Sequence, residues 1–186
     1  ACANSWMKGS RGVRESANCS PLPGSQRILM PVRPAEPRDI PAILQLIRGL
    51  AEYEKALDEV VATEDALMSS FFGENPQVFA HVATYDESVV GIAIWHLNYS
   101  TWLGKHGMYL EDLYVVPQSR GQGHGMALLQ ELASICVDRE YERLQWWVLD
   151  WNQPSIEFYK SIGAVAMDEW TVFRVSGNSL KKLASA

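Results

Sequence analysis

Apolar and polar positions change period several times along the chain, and each change marks an element. Residues 28–33 (Ile-Leu-Met-Pro-Val-Arg) read as a short first strand. Ile40, Ile43, Leu44, Ile47, Leu50 and Ala51 then fall on one helical face, predicting a helix from about Pro37 to Lys55. Thr63 is placed to cap a second helix running through Phe72. Val78–Tyr85 and Val89–Asn98 read as strands joined at Asp86-Glu87-Ser88. Tyr109–Val116 is a further strand, and its near-continuous apolar end suggests a central place in the sheet. A helix follows from about Gly125 to Arg139, then a strand over Leu144–Leu149. Pro154 opens a short helix that stops at Gly163. Thr171–Val175 reads as a last strand and Leu180–Leu183 as a closing turn. The order β-α-α-β-β-β-α-β-α-β, without repeats, predicts an α+β domain built on a mixed sheet.

Size and composition narrow the picture. A chain of 186 residues fits one domain with a proper core. No apolar run approaches the ~18 residues of a membrane span. The three cysteines, Cys2, Cys19 and Cys136, are scattered and odd in number. That pattern argues against a disulfide framework or zinc site and suits a reducing, cytoplasmic setting. Cys136 lies on an apolar helix face and reads as core. His81, His96, His106 and His124 offer no metal-binding spacing, so no metal is expected.

Charge is uneven. Residues 1–27 hold Lys8, Arg11, Arg14 and Arg27 against Glu15, which leaves −9 of the formal −6 total on residues 28–186. An acidic body is a poor partner for nucleic acid and attracts cationic small molecules. Residues 1–27, rich in Ser, Gly, Asn and Pro, read as a disordered tail ahead of a domain over 28–186. A transit peptide, or natural initiation at Met30, stands beside that reading.

The richest chemical signal is Val115-Val116-Pro117-Gln118-Ser119-Arg120-Gly121-Gln122-Gly123-His124-Gly125, a strand, a glycine-rich turn and a helix start. Glycines admit positive φ and close backbone approach. The first turn of the following helix presents unpaired N–H groups with a partial positive charge, a natural seat for a pyrophosphate. The order Arg-Gly-x-Gly-x-Gly is neither a Rossmann fingerprint nor a P-loop.

Arg120, Gly123 and Gly125 in the form Arg-x-x-Gly-x-Gly resemble the acetyl-coenzyme A loop of the GNAT N-acetyltransferase superfamily. The element order resembles that superfamily from Val32 to Leu183. Four further stretches are similar to its diamine acetyltransferase group, which holds the spermidine/spermine and thialysine enzymes. They are Leu50–Lys55, Trp102–Lys105, Tyr109–Asp112 and Trp151–Lys160.

The resemblance implies an acyl-CoA N-acyltransferase fold, a mostly antiparallel sheet flanked by helices. It implies acetyl-CoA as co-substrate, direct transfer to the primary amine of a small cationic acceptor, and a homodimer. Glu111 is implied as general base, relayed by water, and Tyr159 as general acid. The cofactor is implied to pair with the backbone of Leu113, Tyr114 and Val115. Its diphosphate is implied to rest on Gly121, Gln122, Gly123, His124, Gly125 and Met126, with Arg120 assisting by charge and Asn152, Pro154, Ser155 and Tyr159 also in contact. Tyr53, Glu54, Trp102, Glu111, Asp112 and Trp170 are implied for the acceptor, the tryptophans by cation–π contact.

Strand alternation sends Asp112 to the face opposite Glu111 unless a β-bulge intervenes. His124 reads as a loop filler facing solvent that can also approach phosphate. Ser100-Thr101 stands where spermidine/spermine enzymes have Asp-Pro, and Asp168-Glu169-Trp170 is shorter than their acidic stretch. Both departures lean toward the thialysine branch. A protein or peptide acetyltransferase and a non-catalytic acyl-CoA-binding module remain as alternatives.

Overall fold

The computed structural model describes residues 31–185. The expected tail over 1–27 and the first residues of the expected first strand lie outside the described residues.

Five strands form one sheet in the order β1-β2-β3-β4-β5. They are β1 (Val32–Pro34), β2 (Val78–Tyr85), β3 (Ser88–Ser100), β4 (Lys105–Val115) and β5 (Leu144–Gln145). The first three pairings are antiparallel and β4–β5 is parallel. The β2–β3 turn places both Asp86 (φ 47°) and Glu87 (φ 62°) in the left-handed region, the twist a two-residue hairpin requires.

Helices α1 (Ile40–Tyr53) and α2 (Glu64–Phe72) cover one face of the sheet. There Ile40, Ile43, Leu46 and Phe71 pack with Val82, Ile92, Ile94 and Tyr114. Thr63 caps α2 as the sequence suggests, its Oγ1 accepting from the Ala66 N–H at 3.2 Å. Gly49 lets α1 close on β4, since a Cβ there would lie 2.9 Å from the Tyr114 hydroxyl. On the other face, Leu128, Leu129, Leu132 and Cys136 of α3 (His124–Asp138) pack on Ala93, Trp95, Met108 and Leu110. Cys136 is buried core. Helix α4 (Gln153–Ser161) adds Phe158 and Tyr159 to that face, and Gly163 (φ 90°) terminates it.

The C-terminal third departs from the sequence expectation. β5 ends at Gln145 instead of Leu149, and Thr171–Val175 forms no strand. In place of a closing turn, α5 spans Gly177–Ala184. A strand needs a neighbour for its N–H and C=O groups, and the alternation at 170–175 finds none among the described residues. Val172, Phe173 and Val175 are exposed as a result.

Candidate active site

β4 carries the chemistry because it changes partner along its length. On one side it pairs with β3 throughout. On the other it pairs with β5 only at Met108 and Tyr109. From Leu110 to Val115 that second edge is open among the described residues, and the chain then enters the glycine loop. The backbone of Leu113, Tyr114 and Val115, which the resemblance implies for the cofactor, borders this wedge between β4 and β5.

The register fixes which side chains face the wedge. Trp95 lies opposite Leu110, but Ile94 lies opposite Asp112, so Glu111 is an extra residue. Two residues against one is a β-bulge. It overturns the alternation that would send Asp112 to the far face. Asp112 sits opposite Ile94, which belongs to the α1 face. Glu111 reaches His96 Nε2 at 3.7 Å on that same face, where His96 also stacks on Tyr109. The two carboxylates therefore share a side.

Their surroundings differ. Glu111 is exposed, with 58% of its side chain accessible. Asp112 is half-buried, and its pKa is pushed up to about 6 by burial first, then by Glu111 and Glu54. Glu54 follows the end of α1. The residue is exposed, yet partial burial of its carboxylate still raises its pKa.

Across the wedge, Asn152 is buried and caps α4, its Oδ1 accepting from Ser155 N–H at 3.4 Å. The same Oδ1 accepts from the Tyr53 hydroxyl at 3.1 Å, tying the end of α1 to the start of α4. Trp151 lies 5.6 Å from the Tyr53 ring. Tyr159 packs on Trp146 (4.9 Å) and Phe158 (5.5 Å). Its hydroxyl pKa is pushed up to about 12 by burial and then by Glu54. Trp146 and Trp147 face opposite ways, and Trp147 meets Tyr109 edge-on at 5.6 Å.

The loop closes the site from below. Gly121 (φ 72°) and Gly123 (φ 94°) are left-handed, and a Cβ on either would meet nothing within 4 Å. The first turn of α3 has no side-chain cap, so its N–H groups are left for a ligand. The open β4 edge, the two open glycines and the uncapped helix together fit coenzyme A. Arg120 spans the space above: its Nε donates to the Val115 carbonyl at 3.0 Å. Its guanidinium lies 5.0 Å from the Tyr53 ring and 5.4 Å from that of Tyr114. The Val115 carbonyl is thus engaged, leaving Leu113 as the freer backbone partner.

Three residues are placed otherwise than the sequence suggests. His124 does not face solvent. It is 1% exposed, edge-on to Tyr85, because the left-handed Gly123 turns the chain inward at the helix start. Only its backbone can serve a phosphate. Trp102 is 89% exposed at the β3–β4 turn, roughly 20 Å along β4 from Asp112 at ~3.3 Å per residue. Trp170 is exposed in the unpaired C-terminal segment. Neither tryptophan joins the carboxylates in this chain. Sequence reasoning gave His96 no part in the site, because its contact with Glu111 appears only once the β3–β4 register is known.

Comparison with known proteins agrees with this geometry. Residues 42–164 match the family model described as the acetyltransferase (GNAT) family. The chain belongs to the GNAT acetyltransferase family. It is an enzyme, and the acetyl donor in this family is acetyl-CoA. A thialysine N-epsilon-acetyltransferase of Bos taurus is 39% identical over 82% of this chain and 96% of its own. An L-ornithine N5-acetyltransferase of Arabidopsis thaliana is 28% identical over 87% of this chain and 90% of its own. Among solved structures, an integron cassette protein from the mobile metagenome of V. cholerae superposes with a TM-score of 0.71 at 28% identity, covering 84% of this chain and 98% of that one. Among the described residues of this GNAT acetyltransferase, no helix is long and apolar enough to cross a membrane.

The loop yields a direct prediction. Gly123→Ala places a Cβ on a residue at φ 94°, a strain of about 1–2 kcal/mol. The α3 N-terminus shifts to relieve it. Coenzyme A affinity is expected to fall by about tenfold, measured by calorimetry, with thermal unfolding a few degrees lower. Unchanged affinity would remove the loop from the cofactor site.

Proposed function

We propose that this enzyme acetylates the primary amine of a small cationic acceptor, a lysine analogue such as thialysine or a diamine or polyamine, by direct transfer in a ternary complex. The observation that carries this reading is the bulge, which turns two adjacent carboxylates toward one side at the open β4 edge, with Glu54 nearby. The name of the bovine relative supports a lysine-like acceptor.

A lysine-like amine has a pKa near ~10.4 and arrives as ammonium at neutral pH. Carboxylates attract that cation, and one of them must take its proton before nitrogen can attack. The β4 pair supplies this base, with Glu111 its exposed member. Bound acetyl-CoA supplies the activated acetyl group as a thioester. Tyr159 serves as acid at the departing sulfur. Tyr53, held by Asn152, gives the acceptor pocket a fixed aromatic wall. Leu113 lies where the open edge can pair with an extended amide chain, while the Tyr114 backbone pairs with Ile92 of β3 and only its neighbours face that edge. Gly121 to Met126 can seat the diphosphate, and Arg120 can swing from the two tyrosine rings to assist. Pro154 and Ser155 begin α4 beside Asn152 and close the far side.

The test is thiol release from acetyl-CoA with thialysine, lysine, putrescine, spermidine and a lysine peptide in parallel. Preference for thialysine or lysine is expected, given Ser100-Thr101. Preference for the peptide would favour a protein acetyltransferase. Coenzyme A binding without release for any acceptor would favour a binding module.

A further inference from the structure

We propose that Tyr53 is a positioning residue for the cofactor: its hydroxyl holds the Asn152 amide so that Nδ2 is presented to an acceptor oxygen of coenzyme A. This rests on the cofactor and acceptor reading above and adds a role for Tyr53 within it.

Three observations carry it. First, Asn152 is buried at the start of α4, and its Oδ1 accepts from both the Ser155 N–H and the Tyr53 hydroxyl. A backbone N–H can only donate, so the amide oxygen must face Ser155 and Tyr53. The Nδ2 group is then turned the other way. Second, among the described residues Nδ2 makes no hydrogen bond, and it is not sealed from solvent. It is a donor open to a ligand, with its direction set by the two bonds at Oδ1. Third, the cap bond is the longer of the two, 3.4 Å against 3.1 Å for Tyr53. A bond that long is weak and leaves the amide room to swing. The Tyr53 bond is the better restraint because the ring behind it is fixed. Tyr53 ends α1, packs on the core of that face, and lies 5.6 Å from Trp151 and 5.0 Å from the Arg120 guanidinium.

The direction of the bond follows from its partners. Oδ1 carries no hydrogen, so the phenol must donate, and its own oxygen is left only to accept. The bond joins residues 99 positions apart. It links the end of α1, on the acceptor side, to the start of α4, on the cofactor side. One residue thus serves both seats.

The experiment is a double-mutant cycle of Tyr53→Phe and Asn152→Asp, read as calorimetric coenzyme A affinity without any acceptor. Tyr53→Phe keeps the ring and its contacts with Trp151 and Arg120 and removes only the hydroxyl. Asn152→Asp keeps an oxygen for Ser155 and Tyr53, so α4 stays capped, and removes only the Nδ2 donor. Tyr53→Phe is expected to weaken coenzyme A binding by about fivefold and Asn152→Asp by about tenfold or more. The double variant is expected to bind within about twofold of Asn152→Asp alone. An equal loss from Tyr53→Phe in both backgrounds overturns the proposal, because Tyr53 then acts independently of Asn152. So does a Tyr53→Phe variant with a raised KM for the amine and unchanged coenzyme A affinity, which would leave Tyr53 as an acceptor wall alone. A readout without ligand is the nitrogen relaxation of the Asn152 side-chain amide. It is expected to be rigid in the wild type and mobile in Tyr53→Phe, and equal rigidity in both overturns the proposal. A wild type that binds coenzyme A but acetylates no amine would sink the acceptor reading and leave this cycle intact. A wild type that binds no coenzyme A would sink the cofactor reading and this proposal together.

Discussion

Replacing Tyr159 with phenylalanine is expected to lower kcat by about 100-fold or more and to leave coenzyme A affinity within a factor of about two. The ring is held by Trp146 and Phe158, so the variant keeps its packing and loses only the hydroxyl. Burial and the field of Glu54 push that hydroxyl to about 12. It therefore stays protonated across the working range, as a donor must. Such a phenol is a weaker acid than a thiol of pKa ~8.5. In the proposed role it lends its proton most strongly while negative charge is building on sulfur and recovers it afterwards. That places the loss in kcat, with little change in ground-state binding. Steady-state kinetics by thiol release, with calorimetric coenzyme A binding, separate the two. An unchanged kcat would strip Tyr159 of its role.

Asp39→Ala is expected to cost the fold about 2–4 kcal/mol. Asp39 is 5% exposed and accepts two bonds from Arg33, at 2.6 and 2.9 Å. It accepts a third from the Glu36 N–H at 2.7 Å. These bonds fasten the end of β1 to the start of α1, the helix whose far end carries Tyr53 and Glu54. Removing the carboxylate strands a partly buried guanidinium and a backbone N–H at once. The Arg33 bond, with help from the Glu36 N–H, holds the Asp39 pKa below its ordinary value of 3.8 despite burial. Its stabilisation is full above about pH 4 and is lost as pH falls through the lowered pKa. Asp112 has the opposite sign. Its raised pKa means that folding disfavours the charged form, so it costs stability above about pH 6 and nothing below 3.8. Urea unfolding from pH 4 to 7.5 should show Asp39→Ala less stable throughout that range. It should show Asp112→Asn more stable than wild type only toward neutral pH. An Asp39→Ala variant as stable as wild type would mean that the Arg33 pair is solvated and idle.

These two aspartates show how far local reading reaches. Asp39 precedes a helix pattern, and its place at a helix start is legible from Glu36-Pro37-Arg38-Asp39-Ile40 alone. Its pairing with Arg33 is not, because that bond depends on how α1 folds back on β1. For Asp112 even the direction of the side chain was out of reach. Alternation predicts one face and the structure uses the other, since one extra residue in β4 is visible only against β3. Glu111 and Tyr159 were picked out by resemblance, and the charge of Glu54 acting on both Asp112 and Tyr159 emerged from the fold.

What the sequence by itself determined is whatever depends on near neighbours along the chain. Thr63 caps α2, Gly163 ends α4, the apolar stripe of α1 faces inward, and Gly121 and Gly123 make a left-handed loop before α3. Each follows from bonds and sterics within a few residues. The tertiary structure alone decided the bulge at Glu111, the parting of β4 from β5 after Tyr109, the burial of His124 and the loss of the strand expected at Thr171–Val175. A strand's register, its length and even its existence depend on hydrogen bonds to a partner far away in sequence, and no local pattern carries that information.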